Sequence, residues 1–348
     1  MTTFRLATAA DDVAIRSILR DNGMSTWVDM TVTREPSFLS GTDWLGCDWA
    51  VIAEDAGEVI GMYTAAVLPV HVHGRPEQIG YLGGLRVTPL HRRRVRHLRE
   101  GFESIERLAP VAGTLPMWFT VVAAENDAAR RLLESGVRGL PSYQLQGEYV
   151  TFGLPAARGT RSGLWRRADG SDIPQLIEFH NTQAARFQFS PVLREAVVRR
   201  IGVEHFLVHE REGAVRGVAA LWDQRAFKQI VARRYRQPVG ALVPAYNAYA
   251  KLFRRIPLPR EGQALEQTFI AFLALADDAR RECQALIRDL LARCPTPVAS
   301  LGLHAGHPLS AALDELRPMR YAARVYTVSF ERRPFVGGLP AQPEVALL

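Results

Sequence analysis

The sequence has no uninterrupted apolar run of the roughly 18 residues needed to cross a bilayer, so no membrane span and no membrane partner are expected. It has only three cysteines, Cys47, Cys283 and Cys294, scattered and without a Cys-x-x-Cys pair. That excludes a disulfide framework and a thiolate metal site. It suits a reduced, cytoplasmic setting in which all three act as small core hydrophobes. The opening residues MTTFRLATAADDVAIRSIL carry acids where an export signal would be continuously apolar, so no exported leader is expected. No Ser/His/Asp set is visible, and no metal is expected.

What is present is enough chain for two domains: 348 residues, 47% hydrophobic and 23% charged, in the soluble globular range. The net charge of +7 is uneven, being −3 over 1–156 and +10 over 157–348. Between Gln224 and Arg260, nine Arg or Lys precede the first acid, Glu261. Such a stretch favours an anionic partner or forms a solvated face.

The two parts repeat each other in order. Arg5-Leu6-Ala7, then Asp11-Asp12 and a helical apolar spacing, matches Arg167-Ala168, then Asp172 and a second such helix. Trp49 to Glu54 with Gly57 and Gly61 matches His205 to Glu210 with Gly213 and Gly217, two hairpins with glycines at one offset. Each part continues strand, helix, strand, short helix, strand. The reading is α+β, with two tandem domains at 1–156 and 163–332. Each is expected to be a mixed, mostly antiparallel sheet flanked by helices. A loop-like seam at 154–163 and a Gly- and Pro-rich tail at 333–348 complete the division. Residues 235–262 have no counterpart and are expected to lie outside the shared sheet.

Within that order, Leu85-Arg86-Val87-Thr88-Pro89 followed by Arg92, Arg93, Arg94, Val95, Arg96 and His97 resembles the acyl-CoA-binding motif of the GNAT superfamily. Asn126-Asp127-Ala128-Ala129 is similar to the family's second signature, N-x-x-A. The resemblance implies that Leu85 to Val87 pair with pantetheine and that the pyrophosphate lies near Arg92 to His97, with Asn126 nearby. The physics agrees: free N–H groups and the dipole at a helix start attract phosphate, and arginines hold it by charge-assisted hydrogen bonds. The sequence departs from the motif at its glycines, which are Val95 and His97 here. The second part places Asp277 and Asp278 at the equivalent helix start, where they repel an anion, so it reads as a degenerate copy.

The resemblance implies transfer of an acyl group from acetyl-CoA, or another short acyl-CoA, to an amine of a small molecule or peptide. At the family's acid position stands Leu133, leaving Glu125 as candidate base and Tyr143 as candidate acid. Gly83-Gly84 inside a strand suggests a bulge or a close backbone approach. His71 and His73 flank a hairpin tip, and His304 and His307 flank a helix start, without completing a metal site. A second reading is a degenerate GNAT tandem that binds a ligand or partner without chemistry. A third is nucleic-acid binding through 224–260, where aromatics interleave with basic residues, a pattern that is not specific.

Overall fold

The computed structural model describes residues 2–25, 27–91, 95–108, 117–276, 280–331, 334–335 and 337–348. The first half contributes β1 (Thr3–Leu6), α1 (Asp12–Asp21), β2 (Met24–Ser25), β3 (Val28–Thr33), β4 (Cys47–Asp55), β5 (Glu58–Val72), β6 (Arg75–Val87), α2 (Val95–Leu108), β7 (Trp118–Ala123), α3 (Asp127–Glu134) and β8 (Ser142–Pro155). The second opens with β9 (Arg166–Arg167), α4 (Ile173–Ala184), α5 (Glu195–Ile201), β10 (Phe206–Arg211), β11 (Ala214–Trp222), β12 (Gln229–Tyr235) and α6 (Val239–Leu252). It closes with β13 (Gln267–Leu275), α7 (Arg280–Leu291), β14 (Val298–His304), α8 (Leu309–Asp314) and β15 (Met319–Ser329).

Twelve strands form one continuous sheet in the order β1-β4-β5-β6-β7-β15-β8-β14-β13-β11-β10-β9. Read from either end, it presents five strands of one half and then the last strand of the other. The two last strands are therefore exchanged. β15 pairs with β7 from Ala323↔Ala123 to Val328↔Trp118, while β8 pairs with β14 from Val298↔Pro155 to His304↔Tyr149. At the centre the exchanged strands pair with each other along eleven residues of β15, from Met319↔Gly153 to Ser329↔Ser142.

The cores follow the exchange. Phe102 and Ile105, three apart on α2, pack on Trp49, Tyr63 and Trp118 of the first half and on Val328 of β15. On α7, Cys283, Leu286, Ile287 and Leu290 recur at helical spacing and pack on Phe152 and Leu154 of β8. Both cores thus draw on both halves, and each fully buried Ile or Leu in them contributes about 1.5–3 kcal/mol. Cys294 is half-buried, and the Cys47 side chain lies outside what is described.

The repeat is also chemical. Arg5 donates to both carboxylate oxygens of Asp11, at 2.8 and 2.9 Å, and reaches Glu54. Arg166 does the same with Asp172, at 2.7 Å twice, and reaches Glu210. The partner of Arg5 is thus Arg166, one residue before the Arg167 that the sequence pattern suggests. The insertion lies off the main sheet, as expected. Tyr235 ends β12, which pairs with β3 of the first half in a separate three-stranded sheet, and α6 follows.

Candidate functional site

Parallel neighbours occur twice in the long sheet, at β6–β7 and β13–β14, and both pairs diverge. β6 and β7 meet only at Gly80↔Trp118 and Tyr81↔Phe119, and Thr120 Oγ1 then donates to Leu82 O at 2.7 Å. Beyond Leu82 the strands part. β6 keeps its other neighbour, pairing Gly83 with Thr64 and Arg86 with Met62, and the mismatch of three steps against two is a bulge. Gly84 carries it at φ +61°, and an added Cβ there would stand 2.8 Å from Thr64 Oγ1, so glycine is required. The sequence expectation of a bulge at Gly83-Gly84 is realised. Leu85, Arg86 and Val87 follow the bulge, on the stretch of β6 that β7 does not pair.

Around that opening the sequence candidates are placed as follows. Arg92, Arg93 and Arg94 lie outside the described residues, as does the side chain of Val95, the first residue of α2. Arg96 is exposed and paired with Glu100 at 2.7 Å. The His97 ring stacks on His91 with centroids 6.1 Å apart, and His91 Nδ1 bonds Thr88 Oγ1 at 2.9 Å. Asn126 caps α3 by accepting from Ala129 N at 3.2 Å, and Glu125 is exposed in the preceding turn. Tyr143 sits apart from them, half-buried among Phe102, Phe330 and Tyr326, and burial pushes its phenol up. A different tyrosine reaches the group: Tyr321 on β15, whose phenol is raised by partial burial and by nearby Glu125, with Arg86 opposing. Its strand belongs to the other half, so no local signal pointed to it.

The second opening is the first's counterpart. β13 and β14 pair at Gln267↔Val298, Thr268↔Ala299 and Phe269↔Ser300 and then diverge. Its bulge, with Ala271 against Ala220 and Ala274 against Val218, holds Phe272 at φ +52° where the first has Gly84. Asp277 and Asp278 lie outside the described residues. This opening is filled by the chain's own tail. Gln342 accepts from His304 N at 2.7 Å and donates to Gly302 O at 2.8 Å, strapping β14. Glu344 accepts from Phe272 N at 2.8 Å and from Ala346 N at 3.1 Å. Tyr149 donates to Pro343 O at 2.7 Å. A cavity of about 50 Å³ remains, bordered by His180, Arg186, Phe187, His307 and Glu344. His180 and His307 are both held down to about 4 by burial, so they stand neutral at physiological pH. Across the halves, His71 is buried with its Nδ1 3.3 Å from Ser190 O, whereas His73 sits in the turn at φ +51°. Among the described residues no group of His, Cys, Asp or Glu could hold a metal ion.

Glu344 keeps part of its surface, but its carboxylate is desolvated, which pushes it from 4.5 up to about 7. A raised acid favours the protonated form in the folded state, so its contribution is full below pH 4.5 and is lost as pH rises through 7. Glu344→Gln copies the neutral form. Urea denaturation is expected to show this variant gaining on the parent by about 1–2 kcal/mol between pH 5 and pH 8. Parallel stability profiles over that range would remove Glu344 from the account.

No family model matches the sequence, and no curated protein matches it. Solved structures do. N-myristoyltransferase from Saccharomyces cerevisiae with bound myristoyl-CoA superposes with a TM-score of 0.63, at 11% identity, over 97% of this chain and 85% of that one. A second structure of that enzyme with bound myristoyl-CoA gives 0.59, at 11% identity, over 97% and 81%. These superpositions establish the fold: α+β, with the GNAT architecture twice in tandem.

Proposed function

We propose that the protein is an acyl-CoA-dependent N-acyltransferase that takes its acyl-CoA in the β6–β7 opening. One observation carries this reading. Of two equivalent openings, the second is occupied by the chain's own tail, whose carboxylate sits on the bulge amide of Phe272. The first has Gly84 at that position, at φ +61°, and β7 stops pairing with β6 before the stretch Leu85 to Val87. An amide that holds a carboxylate oxygen in one half suits a thioester carbonyl oxygen in the other.

The chemistry follows from the placement. Pantetheine would pair with Leu85, Arg86 and Val87, and the pyrophosphate would meet the α2 start with Arg92, Arg93, Arg94 and Arg96. An amine nitrogen attacks the thioester carbon and the C–N bond forms. The oxyanion that develops is stabilised by the Gly84 N–H. As the C–S bond breaks, Glu125 takes the amine proton and Tyr321 gives its proton to the thiolate. The opening closes directly beneath the bulge. Thr120 bridges to Leu82 O, and Trp118 fills the space over Gly80, where an added Cβ would meet its ring at 2.1 Å. That floor supports acetyl or another short acyl group, and an amine on a small molecule or peptide as acceptor. Val95 and His97, in place of the motif glycines, favour the non-catalytic reading. Free thiol released from acetyl-CoA in the presence of an amine separates the two.

Isothermal titration tests the site. Acetyl-CoA is expected to bind the parent at least as tightly as myristoyl-CoA. Arg92→Ala with Arg94→Ala should abolish binding, because it removes two phosphate-holding charges. Asp277→Ala with Asp278→Ala should leave binding nearly unchanged. An arginine double variant that binds like the parent would place the ligand elsewhere.

A further inference from the structure

Helix α6 has one face that the rest of the fold does not cover. Val243 and Ala250 are buried, and Val243 packs on Val28, Ala232 and Tyr235. Next to that side, Leu242, Tyr249 and Phe253 recur at helical spacing and are exposed, as is Leu252, while Tyr246 among them is half-buried and donates to Ile256 O at 3.2 Å. Leu242 is 59% exposed and Leu252 76%, the latter among the most exposed large apolar side chains described. A stripe of this kind at the surface requires an explanation.

Arginines gather where the stripe ends. Arg158 donates to the carbonyls of Arg254 and Phe253, at 3.2 and 3.3 Å, closing the C-terminal end of α6. Arg288 Nη1 donates to Arg158 O at 3.1 Å. Arg254, Arg255, Arg288 and Arg317 all act on the Arg158 guanidinium and, after burial, hold it below its ordinary value. None of the five makes an ion pair among the described residues. Like charges massed without acids are matched by an anionic partner.

We propose that the exposed stripe of α6 and the cluster Arg158, Arg254, Arg255, Arg288 and Arg317 form a docking surface for an anionic phospholipid bilayer. The side chains decide between lipid and nucleic acid. The two most exposed residues, Leu242 and Leu252, are aliphatic, able to enter an acyl boundary and unable to stack on a base. The aromatic pair Tyr249 and Phe253 lies tilted on itself, ring centroids 4.6 Å apart, so the two rings form one small platform where single-strand binding uses a succession of them. Arginines beside an apolar stripe at a helix end are the arrangement that holds an interfacial helix at headgroup depth. The expectation of no membrane partner rests on the lack of a long apolar run, which does not bear on attachment at the surface, and no helix among the described residues is long and apolar enough to cross a membrane.

Co-sedimentation with vesicles tests this on the full chain. Vesicles of phosphatidylcholine mixed with phosphatidylglycerol should bind about tenfold more tightly than phosphatidylcholine alone, and salt should weaken the binding. Leu242→Ser with Leu252→Ser should reduce it by about fivefold or more with the melting temperature unchanged, since both side chains are exposed. Arg254→Gln with Arg255→Gln should reduce it similarly and flatten its salt dependence. Equal binding to both vesicle types would overturn the proposal. So would a leucine double variant that binds like the parent, or displacement of the protein from vesicles by a single-stranded oligonucleotide.

Discussion

Residues 1–156 expressed alone are expected to show no cooperative unfolding transition, and to regain one when combined with residues 157–348. In the full chain β8 lies between β14 and β15, and both come from the second half. Tyr149, Phe152 and Leu154 of β8 are each at most 2% exposed there, and all three would lose their surroundings. β7 would lose β15 as well, opening the α2 core where Val328 is fully buried. At about 1.5–3 kcal/mol per buried side chain, four such losses equal much of the 5–15 kcal/mol by which ordinary domains are stable. The exposed strand edges would add aggregation. Urea titration followed by circular dichroism reads the outcome. A monomeric 1–156 fragment that unfolds cooperatively on its own would show that the exchange is dispensable.

Asp289→Ala is expected to cost about 3–5 kcal/mol. The Asp289 side chain is fully buried, with 0% exposure, on the inner face of α7. It accepts from Trp165 N at 3.0 Å and Ser162 N at 3.3 Å, fastening the seam between the halves, and pairs with Arg293 at 3.2 Å. Alanine strands two N–H groups and leaves Arg293, which is itself mostly covered, without its counter-charge. Asp289→Asn keeps one acceptor and should cost less than alanine does. A shift in urea midpoint corresponding to under 1 kcal/mol for the alanine variant would contradict this account.

Local features of the fold were legible in the sequence because they have local causes. Gly57 and Gly213 do turn hairpins, at φ +84° and +76°, and Gly84 does carry a bulge. The insertion is recognisable from its lack of a counterpart. Strand exchange leaves no such mark. Alternation along a strand says which side chains share a face, but not which strand lies alongside. That is why a search for a proton donor on the strand after N-x-x-A arrives at Tyr143 on β8. The place beside β7 belongs to β15, which brings Tyr321 from nearly two hundred residues away. The tail escaped in the same way. Its glycines and prolines read as loop, while its two working side chains, Gln342 and Glu344, act only through partners far along the chain. Of the proposed site, Leu85 to Val87 were marked by motif and Glu125 by its place beside Asn126. The entry of the tail into the β13–β14 opening became visible only in three dimensions.

The central position of β15 also sets a timetable. A chain elongating at about 5–20 residues per second needs on the order of 10–30 s to pass from the end of β8 to the start of β15. Through that interval β7 has no outer neighbour, and the face that Val328 will cover is open. The first half therefore waits on the ribosome as an unclosed sheet, with β7 lacking the neighbour that β15 will supply. Synthesis slowed between residues 156 and 318 would lengthen that wait. It would raise the fraction of chains captured by chaperones or lost to aggregation, with no change in the finished molecule.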